Sequence, residues 1–429
     1  MNQPTRSIEE HLTAALALIP PPETQQVETT RAAGLVLAAD TRAVLPVPPF
    51  GNSAVDGFLV RAGDLAGTGP WELPVAGDVP AGREALTLPE GQALRIMTGA
   101  PVGDPPAVDM RVIPVEETNI PRGPGPLPST VVIAEGKHSR SHIRRRGEDT
   151  APGEIVATAG SVIDPGTVAA LVATGVTKVL AHPRPRVTVI SSGDELVPAG
   201  EIPGPGQLPD SNLPMIAALL GEAGITDIST RHVADSLAQF RFQLDLASED
   251  SDLVITSGGV SAGAFDVVRE VAEDPTNEDS SMWFGPVAIQ PGKPQGLGTW
   301  KGTPLICLPG NPVAAFVSFH IFIRPLLRHL AGDQVPWGLL ERPAIPARPG
   351  AAFPLPGNRP LVVPVHVSWD QDGAVATPFT LSGKGSHRVA SLSGVNGLVV
   401  LAPGAPAVSL TPEIAYPQAE QKIRVLLLR

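Results

Sequence analysis

Cysteine is nearly missing: Cys307 is the only one in 429 residues. One thiol builds neither an internal disulfide framework nor a cysteine-based zinc cluster, and it suits a reducing, cytoplasmic setting. Basic residues are scarce too. Lysine and arginine total 31 against 43 aspartates and glutamates, a net charge of -12. That argues against unspecific nucleic-acid binding but allows an anionic small molecule in a local basic pocket. No apolar run reads as a membrane span. The longest, 312–332, is interrupted by His320, Arg324 and Arg328. The N-terminus has Glu9 and Glu10 and no basic stretch ahead of its short apolar run, so no signal peptide is expected.

What is plentiful is turn chemistry. The 44 glycines and 49 prolines point to many turns and β structure rather than one long helical bundle. The chain is long enough for two to four domains, and its organising stretch runs from Pro185 to Leu330. VTVIS and LVIT are short apolar runs that end in Ser/Gly loops, as buried parallel strands do. SNLPMIAALLGEAG (211–224) reads as a helix capped by Ser211 or Asp210 and closed by Gly224. Further helices are expected over 236–250 and 312–332. Strands alternating with helices predict a three-layer α/β/α domain, with ligands held off the carboxyl ends of the strands.

The loops at those ends carry the chemistry. SSGDELV (191–197) places Asp194 and Glu195 where a strand ends. GQLPDSN (206–212) puts Asp210, Ser211 and Asn212 at a helix entrance, a ready anion site. TSGGVSAGAFD (256–266) supplies Ser257, Gly258, Gly259, Ser261 and Asp266; its glycines let backbone amides approach a phosphate. It is neither a GxGxxG nor a GK[ST] loop. An alternative reading of Asp266 is the cap of a following helix.

Outside this stretch, residues 5–19 form an amphipathic helix through Ile8, Leu12, Leu16 and Ile19. In PPFGNSAVDGF (48–58), Asn52, Ser53 and Asp56 sit in an apolar frame. That is either a surface loop with Asx turns or a carboxylate presented at fixed geometry. Residues 66–135 suggest a small β domain, with a tight turn or oxyanion-binding turn at Thr98-Gly99 and a hairpin tip at 120–129. The one dense basic run, 137–146, holds Arg144 to Arg146 and precedes Glu148 and Asp149. It is a solvated basic strand or a phosphate-binding wall. Asp164, Pro165 and Gly175 mark the start and stop of a helix. Residues 334–429 read as a small β barrel or sandwich.

PPFGNSAVDGF, LRIMTGAP, IRRRGED, SSGDEL, GQLPDSN, TSGGVSAGAFD, PGKP and LPGNPVAAFVSF resemble, in order, the motifs of the molybdopterin molybdenumtransferases. These enzymes perform the last step of molybdenum cofactor synthesis. KGSHRVASLSGVNGL (384–398) resembles their C-terminal motif, with Ser386, His387 and Arg388 expected to reach a partner's site. Val55 and Phe58 depart mildly from the pattern, the expected GRxEFxR form is missing from 351–365, and Gln290 stands where many members have lysine.

The resemblance implies four domains: 1–59 with 136–182, an inserted β domain 60–135, a molybdopterin-binding α/β domain 183–332, and a C-terminal β domain 333–429. It implies insertion of molybdate into adenylylated molybdopterin with release of AMP. Asp56, Thr98, Asp149, Glu195, Asp235, Asp266 and Lys293 would be catalytic, and Glu195, Asp235 and Asp266 would hold Mg2+. Arg144, Arg145, Ser211, Asn212, Ser257, Gly258, Gly259, Ser261, Pro309, Gly310, Asn311 and Ser386 would bind substrate. A homodimer, and transient contact with the adenylyltransferase that supplies the substrate, are expected; membrane and nucleic acid are not. That adenylyltransferase shares the central domain but lacks the motifs at 56, 98 and 149, which tells the two apart.

Overall fold

The run RVTVISS forms a strand, Arg186–Ser192, buried at every residue but the first. Its β-branched residues favour extended backbone, and an apolar run without polar alternation needs cover on both faces. Both covers exist. Val187 and Val189 enter one core and Ile190 the other. Leu253 and Ile255 against Val254, and Ile306 and Leu308 against Leu305 and Cys307, repeat the division. The structure, a computed structural model, describes residues 4–103, 109–136, 138–260, 267–274, 280–333, 338–380, 388–404 and 422–428. The chain divides into two units, 25–181 and 1–24 with 182–429.

In the larger unit a six-stranded sheet runs Asp227–Val233, Arg186–Ser192, Leu253–Ser257, Thr303–Leu308, Pro294–Trp300 and Ser280–Pro286. The first four strands are parallel; the last two are antiparallel. The antiparallel edge departs from the parallel strands expected from the sequence, for a local reason. Lys301 and Gly302 both have positive φ, 48° and 83°, which is the two-residue turn that joins antiparallel neighbours. Helix Asn212–Glu222 resolves the cap ambiguity: the Asp210 carboxylate accepts from the amides of Asn212 and Leu213, both at 3.1 Å, while Ser211 caps nothing.

The long apolar helix is a core helix, 83% buried over its most apolar window. It is α over Pro312–Ser318, π over Phe319–Ile323 and α again over Arg324–Leu330. Pro325 has no N–H to give, so carbonyls one turn back need another donor. Arg342 provides it, bonding His320 O at 2.8 Å and Ile321 O at 2.7 Å.

Helix Ile8–Leu16, started by a Ser7/Glu10 capping box, buries Ile8, Leu12 and Ala15 in the core that holds Val187 and Phe322. The sequence boundaries grouped it with residues up to 59. Instead it completes the α/β unit, because a nine-residue helix alone leaves its apolar stripe uncovered. Five strands, Ala344–Pro349, Leu361–Asp370, Gly373–Pro378, Gly397–Leu401 and Ile423–Leu427, close into a barrel. Val363, Val365, Val399 and Val425 fill it, while Val362, Leu398 and Leu426 face the α/β core.

In the unit 25–181, a three-stranded sheet with helix Pro165–Ala173 packs around Leu37, Ile163, Leu171 and Val179. Asp164 caps that helix, accepting from Thr167 N at 2.7 Å. A five-stranded sheet orders Met110–Pro114, Gly57–Arg61, Ala93–Ile96, Trp71–Val79 and Thr130–Ile133. Phe58 and Val60 enter one core, Leu59 the other. The expected boundary at 59/60 cuts this sheet, since Gly57–Arg61 is one strand paired on both sides. Residues 120–129 do form a loop between locally paired stretches, bridged at Thr118 and Ile133.

Candidate functional site

At the carboxyl ends of the parallel strands lies a cleft of about 470 Å³. Its walls are Ser192 and Glu195, the loop Gly258–Val260, the turn 290–292 with Pro294, and Pro309–Asn311 with Ala314. One side chain ties three of the sequence motifs together. The buried Asn212 Nδ2 donates to Ser257 Oγ at 2.8 Å and to Gly310 O at 2.7 Å. DSN, TSGG and LPGN are thereby one structure. Gly258 has φ +95°, the left-handed region that favours glycine, and its Cα lies in contact range of Gly310. The turn at Gly258 presents backbone amides to the cleft. Asn311 caps the following helix, accepting from Val313 and Ala314.

The opposite wall is held by the barrel. Gln290, joined to Pro291 by a cis bond, donates its N–H to Pro360 O at 2.9 Å and accepts from Val362 N at 2.8 Å. Buried Gln295 braces the turn from inside, bonding Gly292 O and Ser318 Oγ, both at 2.8 Å. Lys293 is exposed beside it. The two acidic loops clasp each other: Asp194 N donates to Asp235 Oδ2 at 3.3 Å, and Asp235 N to Asp194 Oδ1 at 3.0 Å. Glu195 folds back over Gly193, where any Cβ would meet its carboxylate. Asp194, Glu195 and Asp235 are exposed oxygen donors of the kind a hard divalent cation takes. Among the described residues they do not form a cluster of three that would hold an ion unaided. Mg2+ commonly binds one or two carboxylates with substrate phosphates and water, and exposed carboxylates of this kind are compatible with it. Asp266, Ser261 and Ser386 lie outside the described residues.

The unit 25–181 contains the other expected residues and a second cleft, of about 780 Å³. Strand Asn52–Ser53 pairs with Ile143–Arg144, and Asn52 bridges Pro101. NSAVDG, TGAP and IRRRGED are therefore neighbours. Asp56 Oδ1 accepts from Thr98 N at 2.6 Å and from Thr98 Oγ1 at 2.7 Å. These bonds, the backbone one first, hold the Asp56 carboxyl below the usual carboxylate range. Gly57 must be glycine, since a Cβ would fall 1.9 Å from Ile113 O. Arg144, Arg145 and Asp149 are exposed; Arg145 N donates to Glu148 Oε2 at 2.7 Å and Asp149 N to Val47 O at 2.9 Å.

Three family models match this chain in succession. Residues 6–175 match the MoeA N-terminal region (domain I and II), 188–329 a probable molybdopterin binding domain, and 346–409 the MoeA C-terminal region (domain IV). Molybdopterin molybdenumtransferase 2 of Mycobacterium tuberculosis is 40% identical over 401 residues, 92% of this chain and 95% of the relative. The chain belongs to the MoeA family of molybdopterin molybdenumtransferases. Molybdopterin molybdenumtransferase 1 of the same organism is 32% identical over 424 residues, 93% of this chain and 96% of that one. A crystal structure of the molybdopterin biosynthesis MoeA protein from Pyrococcus horikoshii, 26% identical, aligns over 99% of this chain and 100% of its own with a TM-score of 0.74.

Within this MoeA frame, the sequence motifs located Asp56 and Thr98 separately but not their contact. The roles of Gln295 and the barrel edge at 360–362 were missed. No motif marks them, because each acts on a loop distant in sequence.

Proposed function

We propose that this molybdenumtransferase places molybdate at the dithiolene sulfurs of adenylylated molybdopterin and releases AMP. The observation that carries the reading is the Asn212 tie, which turns three strand-end motifs into one cleft. Amides of Gly258 and Gly259 and the charge of Lys293 would hold the phosphates, with Ser211 and Asn212 framing the helix entrance. The frame of Pro309, Gly310 and Asn311 would orient the pterin. Glu195, Asp235 and Asp266 would hold Mg2+, which supplies charge neutralisation at the pyrophosphate. Gln290 donates hydrogen bonds without charge where a lysine is common. Asp56, Thr98 and Asp149 would orient reacting groups, and Arg144 and Arg145 would attract oxyanions. The site residues, Mg2+, cytoplasmic location and a homodimer are part of this proposal, as is transient contact with the adenylyltransferase.

AMP release from the adenylylated substrate, with and without molybdate, tests it. Molybdate-dependent release supports the assignment; no release at any Mg2+ concentration overturns it. Sedimentation at micromolar concentration tests the dimer.

A further inference from the structure

The cleft around Asp56 and Thr98 has one wall that no catalytic motif provides. Residues 120–125, IPRGPG, line it. A run of glycine and proline has little side chain with which to anchor itself. Arg95 anchors it instead. Arg95 Nη1 donates to Gly125 O at 3.1 Å and Pro126 O at 2.9 Å, while Nε and Nη2 fork onto Asp78 at 2.5 and 2.8 Å. Asp78 raises the Arg95 pKa further, so the anchor stays charged.

Arg95 and Arg122 are the cations among the cleft's described lining residues. Arg95 is committed to Asp78 and the two carbonyls. Arg122 is carried on the anchored loop with its side chain 73% exposed, and it meets Glu116 Oε1 at 3.0 Å. Glu116 also lines the cleft. An exposed ion pair of this kind is weak, and a doubly charged oxyanion competes for the guanidinium, with which it makes a bidentate pair.

We propose that Arg122 binds a tetrahedral oxyanion of the substrate in the Asp56–Thr98 cleft, with Glu116 as its resting partner and Arg95 as the positioning residue. The inference rests on the proposed function and extends it. Both molybdate and the nucleotide phosphate have the required chemistry, and the two arms of the experiment separate them.

The full-length protein is titrated calorimetrically with molybdate alone and with AMP alone. Arg122→Gln is expected to weaken one of the two by about tenfold, the scale of one charge-assisted hydrogen bond. Glu116→Gln, which removes the competing carboxylate, tightens the same ligand. A merely structural role for the pair predicts no such reversal of sign. Arg95→Gln should weaken that ligand, speed tryptic cleavage after Arg122, and add nothing to Arg122→Gln in the double variant. Unchanged binding of both ligands to Arg122→Gln, or weaker binding to Glu116→Gln, overturns the proposal. If Asp56→Asn loses turnover while Arg122→Gln binds normally, Arg122 falls and the cleft's role stands. If both behave as wild type, both fall.

Discussion

Asn212→Ala probes the tie that makes the strand-end cleft one object. The wild-type side chain is buried and makes two hydrogen bonds, to Ser257 and to Gly310, while its Oδ1 is buried with no partner. Each bond contributes about 1 kcal/mol net. Removing the unpartnered oxygen recovers about 1 kcal/mol of desolvation cost. The expected loss is therefore about 1 kcal/mol, seen as a lower urea midpoint with an unchanged slope. The functional loss should be larger. Loops shifted by an ångström or so from the reacting geometry cost on the order of a hundredfold in rate, so AMP release should fall by about that much. Asn212→Asp keeps the shape but sets an oxygen against the Gly310 carbonyl. Burial and that carbonyl raise the new carboxyl's pKa in the fold, so the folded state holds the proton longer than the unfolded chain does. Its destabilisation should grow as pH rises from acid to neutral. Wild-type turnover and an unchanged midpoint in Asn212→Ala would refute the reasoning.

Three further perturbations have definite expected outcomes. His11 is fully buried between Trp283 and Phe322 with neither ring nitrogen partnered, and burial lowers its pKa to about 3. The unfolded imidazole titrates near 6.5, so between those values the unfolded state binds more protons and stability falls as pH is lowered. His11→Phe should raise the melting temperature and reduce that acid sensitivity; a melting curve with the same pH dependence as wild type counts against it. Thr98→Val removes one of the two bonds that depress Asp56. The Asp56 contribution to stability is present above its unfolded pKa and lost as pH falls through the folded one, so the variant should be weaker than wild type at neutral pH and level with it in strong acid. Equal differences at both pH values would contradict the pairing. Asp266→Asn should nearly abolish AMP release while leaving melting unchanged, because an amide caps a helix as well as a carboxylate but does not hold Mg2+. Full turnover with an unchanged Mg2+ dependence ends the metal assignment.

The sequence by itself determined what local physics governs. The apolar runs at 187–190 and 253–256 were legible as buried strands because β-branched residues and Ser/Gly ends leave little alternative. The start at Asp164 was legible, and the one at 210–211 to within a residue, because a carboxylate or hydroxyl beside free amides is a short-range interaction. The turn at Gly258-Gly259 was legible because paired glycines mark close backbone approach, whereas 309–311 stood out only through the family resemblance. Tertiary structure alone decided which of these pieces meet. Asp56 finds Thr98 across 42 residues, and Asn212 finds Gly310 across 98. Arg342 serves carbonyls that Pro325 leaves without a donor, and helix Ile8–Leu16 fills the core of the α/β unit rather than the segment that follows it. Such contacts depend on strand register, on turns such as Lys301–Gly302, and on how much apolar face each element leaves uncovered. Those quantities come from the whole packing problem and leave no periodic trace in any one stretch of chain.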